Sequence, residues 1–138
     1  MLKGLTTVSF FADDIAAARD WYTELLGMEP YFVRPVDGPP MYVEFRICDY
    51  EHELGIVDRR FAAADGPDKP GGAVIYWHVD DIRAGMERLE SLGATVLEKP
   101  VERGPGFVTA SVVDPFGNIL GIMYNRHYLE ILESRHRA

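Results

Sequence analysis

Two stretches of the chain carry strand-like patterns, and each is followed by apolar residues at helical spacing. Leu5–Phe11 and Ala73–Val79 are rich in Val, Thr, Ile and aromatic residues and predict strands. After the first, Ile15, Ala18, Tyr22, Leu25 and Leu26 fall on one helical stripe; after the second, Ile82, Met86, Leu89 and Leu92 do the same. Asp13 or Asp14 can cap the first helix, and Asp80 or Asp81 the second, by accepting orphan N–H groups of the first turn. Gly27 and Gly93 stand where a helix needs a left-handed residue to stop. Three strand segments follow each helix: Glu29–Arg34, Met41–Cys48 and Glu53–Asp58, then Thr95–Glu98, Phe107–Val113 and Ile119–Tyr124. Turn residues separate them: Pro35 to Pro40, Gly104-Pro105-Gly106, and Asp114-Pro115-Phe116-Gly117-Asn118. Arg126–Arg135 predicts a short amphipathic helix with Leu129 and Leu132 on one side.

The two halves repeat each other. Asp13-Asp14-Ile15 recurs as Asp80-Asp81-Ile82, an offset of 67, while Leu26-Gly27 recurs as Leu92-Gly93 and Leu54-Gly55-Ile56 as Leu120-Gly121-Ile122, both at 66. Each match is short, but their common order and spacing make chance a poor account. The expected organisation is α+β: tandem βαβββ modules over residues 4–58 and 73–125, a Pro- and Gly-rich linker over 59–72, and a C-terminal helix over 126–138. A four-stranded sheet with one helix leaves a face that must be buried or used. Two such sheets can form a curved mixed sheet around a cleft, the kind of concavity that holds small molecules.

Composition narrows the function classes. The 138 residues carry a formal charge of −8, which argues against nucleic acid as a partner. One cysteine supports neither an internal disulfide nor a Cys-rich zinc site. No apolar run approaches the roughly 18 residues of a membrane span, and the N-terminus lacks a signal peptide's apolar stretch. The expectation is a cytoplasmic protein with no membrane partner.

The pattern resembles the vicinal oxygen chelate superfamily, which includes glyoxalase I, extradiol dioxygenases, fosfomycin-resistance enzymes and bleomycin-resistance proteins. Its carriers are Phe10-Phe11-Ala12-Asp13-Asp14-Ile15 leading to Trp21-Tyr22 and Leu25-Leu26-Gly27-Met28, then Val79-Asp80-Asp81-Ile82, Leu92-Gly93-Ala94 and Asp114-Pro115-Phe116-Gly117-Asn118. The resemblance implies paired modules, a homodimer, and cavities at module or subunit boundaries. It also implies a divalent metal in catalytic members, held from the first and last strands of each module. The matching positions here are Thr7, Gly55, Val74 and Gly121. Glycine and valine bring no donor atom, and threonine alone does not hold such a cation. The expectation is a metal-lacking member with no cofactor. A displaced set is the alternative. Strand alternation puts His78 on the face of Val74 and Glu53 on the face of Gly55, with Glu44 joining from a neighbouring strand, although His78 lies about 13 Å along the strand from Val74.

Alternation also selects a lining. Thr7, Ser9 and Phe11 on the first strand, Val74, Tyr76 and His78 on the fifth, Tyr42 and Glu44 on one middle strand and Thr109 and Ser111 on another form a mixed aromatic and hydroxyl set. Such a set suits a flat or aromatic ligand held by stacking and a few hydrogen bonds, although each residue singly is better explained by packing. His78 reads either as a weak general-base candidate or as a half-buried histidine at a strand end bonded to a neighbour. Cys48 reads as a small buried hydrophobe. Glu98, Glu102 and Arg103 read as a solvated loop or the rim of a ligand entrance. Two functions follow. One is a metal-free protein that holds a hydrophobic or aromatic small molecule, with antibiotic sequestration as one form. The other is a lyase, isomerase or dioxygenase working through the displaced metal set or through His78 acid–base chemistry.

Overall fold

Asp14 and Asp81 start the helices of the two repeats. Their side chains each accept the N–H three residues on, at 3.0 Å from Ala17 and 3.0 Å from Ala84. The computed structural model describes residues 1, 3, 5–62 and 70–137. The start of the first module at residue 4, linker residues 63–69 and the last residue of the C-terminal helix therefore lie outside the described residues.

The chain divides into two compact units, residues 1–68 and 69–138. Unit 1 runs β1 (Thr7–Ala12), α1 (Ile15–Leu26), β2 (Phe32–Arg34), β3 (Tyr42–Ile47) and β4 (His52–Asp58), then a 3-10 turn at Arg59–Phe61. Unit 2 runs β5 (Tyr76–His78), α2 (Ile82–Ser91), β6 (Thr95–Gly104), β7 (Phe107–Val113), β8 (Ile119–Asn125) and α3 (Arg126–His136). The sheets have the same topology, β1-β4-β3-β2 and β5-β8-β7-β6. In each, the first strand is an edge strand parallel to the last, and the other pairs are antiparallel. The repeat read from the sequence is thus a repeat of fold.

α1 and α2 each cover one sheet face. In unit 1, Tyr22 of α1 is 1% exposed and its ring lies 6.3 Å from Phe10 and 6.4 Å from Phe45. Val43, Leu54 and Ile56 complete that layer. In unit 2, Met86 and Leu89 of α2 are buried with Ala110, Val112, Leu120 and Ile122. Gly85 lets α2 approach β8, because a Cβ there would sit 3.0 Å from Ile122 Cδ1. Gly27 ends α1 in the left-handed conformation at φ 66°, donating its N–H to the Thr23 carbonyl.

Four details differ from the sequence reading. β2 begins at Phe32 rather than Glu29: Pro30 has no N–H for the ladder, and Tyr31 makes the first bond, to the Glu44 carbonyl. β5 spans only Tyr76–His78, so Val74 lies before the strand. β6 runs on to Gly104, an edge strand whose register shifts accommodate Pro100. Glu102 and Arg103 are therefore strand residues, not loop residues. Cys48 is exposed rather than buried, because β3 ends at Ile47 and Cys48 enters the turn to β4 at φ 61°.

Candidate functional site

The sheet face opposite α1 carries the residues that alternation selected. Register places Ser9, Gly55, Glu44 and Phe32 in one row across β1, β4, β3 and β2. On one side of it lies the row Thr7, Glu53 and Arg46; on the other lies the row Phe11, Val57, Tyr42 and Arg34. Thr7, Phe11, Tyr42 and Glu44 are half-buried, and Ser9 is exposed.

The polar groups of this face form two networks. Thr7 Oγ1 donates to Glu53 Oε2 at 2.8 Å, and Arg46 Nη2 reaches Glu53 Oε1 at 3.4 Å while its guanidinium stacks 3.9 Å over the Tyr31 ring. Tyr42 Oη donates to Glu44 Oε2 at 2.7 Å. Burial, and then the hydrogen bond and charge of Glu44 with the more distant Glu53, hold the Tyr42 phenol far above its ordinary ionisation range. Tyr42 is therefore a fixed donor and Glu44 a fixed acceptor. Phe32 stands edge-on to Tyr42 at 6.1 Å, with the Arg34 guanidinium 3.9 Å over its ring.

Unit 2 presents a matching face. Tyr76, Gly121, Ser111 and Glu98 form one row, and His78, Met123, Thr109 and Val101 the next. Thr109 and Ser111 are 8% and 4% exposed, whereas Tyr76 is 38% exposed. Thr109 Oγ1 accepts from Arg103 Nε at 3.1 Å, and Arg103 pairs with Glu98 at 2.8 Å. His78 sits at the strand end with both ring nitrogens engaged: Nδ1 accepts the Asn125 N–H at 3.2 Å and Nε2 lies 3.1 Å from Asp80 Oδ1. Its ring stacks on Tyr128, with centroids 5.1 Å apart. This is the bonded histidine at a strand end that the sequence offered as one of two readings. With Nδ1 occupied, the ring has no lone pair free to take a substrate proton.

The four metal positions implied by resemblance do not fit a divalent cation. The Thr7 hydroxyl is spent on Glu53, and Val74 has no donor atom. Gly55 and Gly121 are more than empty of ligands. A Cβ at Gly55 would fall 2.7 Å from Tyr42 Oη, and one at Gly121 would fall 2.7 Å from both the Ile75 carbonyl and Tyr76 Cδ1. Tyrosine side chains stand where metal-binding carboxylates would begin. The members of the displaced set are likewise engaged: Glu53 with Thr7 and Arg46, Glu44 with Tyr42, His78 with Asn125 and Asp80. Among the described residues no three His, Cys, Asp or Glu side chains form a group that could hold a metal ion.

A separate open cleft of about 570 Å³ lies between the start of α1 and the 35–40 segment, lined in part by Ile15, Pro35, Pro39, Pro40 and Met41. Its carboxylates already have partners: Asp14 caps α1, Asp13 pairs with Arg59, and Asp58 binds the backbone and guanidinium of Arg60.

Sequence reasoning missed Phe32, Arg34 and Arg46 on unit 1's face, and Asn125 and Tyr128 around His78. The first three were within reach, since Arg46 lies two residues from Glu44 and shares its face by alternation. Asn125 and Tyr128 were not, because their approach to His78 depends on how β8 runs into α3.

Two mixed four-stranded sheets of identical order, each backed by one helix and each with a half-polar free face, define the tandem βαβββ class. The model of the Glyoxalase/Bleomycin resistance protein/Dioxygenase superfamily matches residues 4–122, and the chain belongs to that superfamily. Three solved structures illustrate the likeness. A superfamily member from Sphaerobacter thermophilus is 22% identical, covers 88% of this chain and 97% of its own, and superimposes with a TM-score of 0.68. Lactoylglutathione lyase from Agrobacterium tumefaciens is 22% identical over 89% of this chain and 94% of its own, with a TM-score of 0.63. TioX from Micromonospora sp. is 15% identical over 89% of this chain and 99% of its own, at 0.65. At these identities the likeness speaks for the fold. No curated protein matches the chain.

Proposed function

We propose that the chain is a metal-free small-molecule-binding protein, and that the free face of unit 1 holds a flat or aromatic organic ligand. The observation that carries this reading is the pair of tyrosines at Gly55 and Gly121. Ring and hydroxyl take the space that metal-binding side chains need, so the family positions serve contact and hydrogen bonding instead of coordination. Phe11, Phe32 and Tyr42 supply stacking surface. Ser9 supplies a polar contact, and Thr7 and Glu44 supply the acceptor lone pairs left over beside their bonds to Glu53 and Tyr42. Sequestration of an antibiotic is one form such binding takes. An enzymatic role through His78 is less well supported, because both of its nitrogens are bonded within unit 2.

Titration calorimetry against a panel of aromatic natural products, antibiotics included, tests the reading. At least one compound should bind tighter than about 1 mM, and Glu44→Gln together with Phe32→Ala should weaken it roughly tenfold or more. No binding across the panel, or stoichiometric tightly held metal in protein purified from cells, would overturn it.

A further inference from the structure

His78 does more than close a strand end. Its side chain is 12% exposed and joins three elements. An imidazole nitrogen that accepts an N–H carries no proton. The Asn125 N–H on Nδ1 therefore fixes the neutral ring as the Nε2–H tautomer, which donates to Asp80. Asn125 is also the N-cap of α3, its Oδ1 accepting the Tyr128 N–H at 3.0 Å. Tyr128 in turn stacks on the His78 ring with the planes 25° apart. Arg126 adds one backbone bond, to the Gly106 carbonyl at 3.0 Å. No residue of α3 is fully buried; Tyr128, Leu129 and Leu132 are half-buried, and the contacts at the first turn are part of what attaches the helix.

We propose that His78 is a pH-sensitive clasp for α3: the neutral ring holds the start of the helix, and a second proton releases it. The only ring nitrogen without a proton is Nδ1, and it takes one only by giving up the Asn125 bond. Once protonated it faces the Asn125 N–H as donor against donor, and the bond is lost. The bond from Nε2 to Asp80 survives and becomes an ion pair, so the protonated ring keeps its exposed partner and gives up the helix. The other titratable and charged groups near this end are the Tyr124 phenol of β8, whose ring centroid lies 5.7 Å from that of His78, and charged residues of α3 and β6. Arg126 and His127 each lie 3.8 Å from Glu130 on α3, and Arg103 on β6 is paired with Glu98 and bound to Thr109. Release of α3 uncovers the His78 end of the row that contains Met123 and Thr109.

Hydrogen exchange on the intact protein at about pH 8 and about pH 5, the interval in which an unperturbed histidine titrates, tests the clasp once rates are corrected for intrinsic chemistry. Amides of residues 126–136 should lose protection in acid by roughly fivefold to thirtyfold relative to those of β7, the effect of one or two kcal/mol. His78→Asn places an oxygen where Nδ1 stood and cannot titrate, so its α3 should stay protected at both pH values. His78→Ala should expose α3 at both, with β7 protection reporting that the variant is folded. A double variant, His127→Gln with His136→Gln, should keep the wild-type response. Equal α3 protection at the two pH values in the wild type, or an acid response that persists in His78→Asn or vanishes in the double variant, would overturn the proposal.

Discussion

Tyr42 shows how one residue is set by its surroundings. Its hydroxyl lies over Gly55 and is bonded to Glu44; partial burial, then that bond and the charges of Glu44 and Glu53, favour the neutral phenol. The linkage has a definite sign. A group whose proton is held more tightly in the folded state contributes stability below its unfolded pKa, and that contribution is lost as pH rises. Stability should therefore fall as pH climbs above about 10, where an unfolded tyrosine ionises. Tyr42→Phe should flatten this alkaline fall in denaturant midpoints, and it should remove one late component of the tyrosinate absorbance titration. An unchanged alkaline profile in Tyr42→Phe would assign the effect elsewhere. At this scale the sequence was legible wherever strand period decided the matter. Thr7, Ser9, Phe11, Tyr42 and Glu44 share a face because alternate residues must. Cys48 was not legible, since the residue at which a strand gives way to a left-handed turn depends on pairing with β4.

Among the elements, α1 and α2 rest on the same device. Asp14 and Asp81 each occupy the N-cap with extended backbone and bond the N–H three residues on. Replacing either by Ala should cost about 1 kcal/mol in chemical denaturation, with Ser in its place recovering most of the loss. The neighbours Asp13 and Asp80 were equal candidates in the sequence and differ in the fold: Asp13 pairs with Arg59 and Asp80 with His78. Ala at those two positions should leave helix stability close to wild type. Strand limits were less legible than helix limits. Caps and stop residues mark a helix locally, whereas a strand's extent is set by its partner, as the short β2 and β5 and the bulged β6 show.

For the whole molecule, the net charge of −8 makes one firm statement. Phosphate binding needs clustered Lys and Arg, so the purified chain should not retard duplex DNA in a gel shift at about 0.15 M salt, and a saturable shift would contradict this. Among the described residues no helix is long and apolar enough to cross a membrane. The chain's own residues determined the architecture. A duplicated order of strand, helix and three strands, with caps and turns at matching offsets, leaves few ways to bury two apolar helix stripes, and the sheets take the same topology twice. Tertiary structure decided the site. Only the registers of β1, β3 and β4 bring Tyr42 over Gly55 and Thr7 onto Glu53. Only the path from β8 into α3 delivers Asn125 and Tyr128 to His78. Local pattern constrains the backbone through dihedral preference and apolar period, while hydrogen bonds between residues some forty-six positions apart exist only once that backbone has folded.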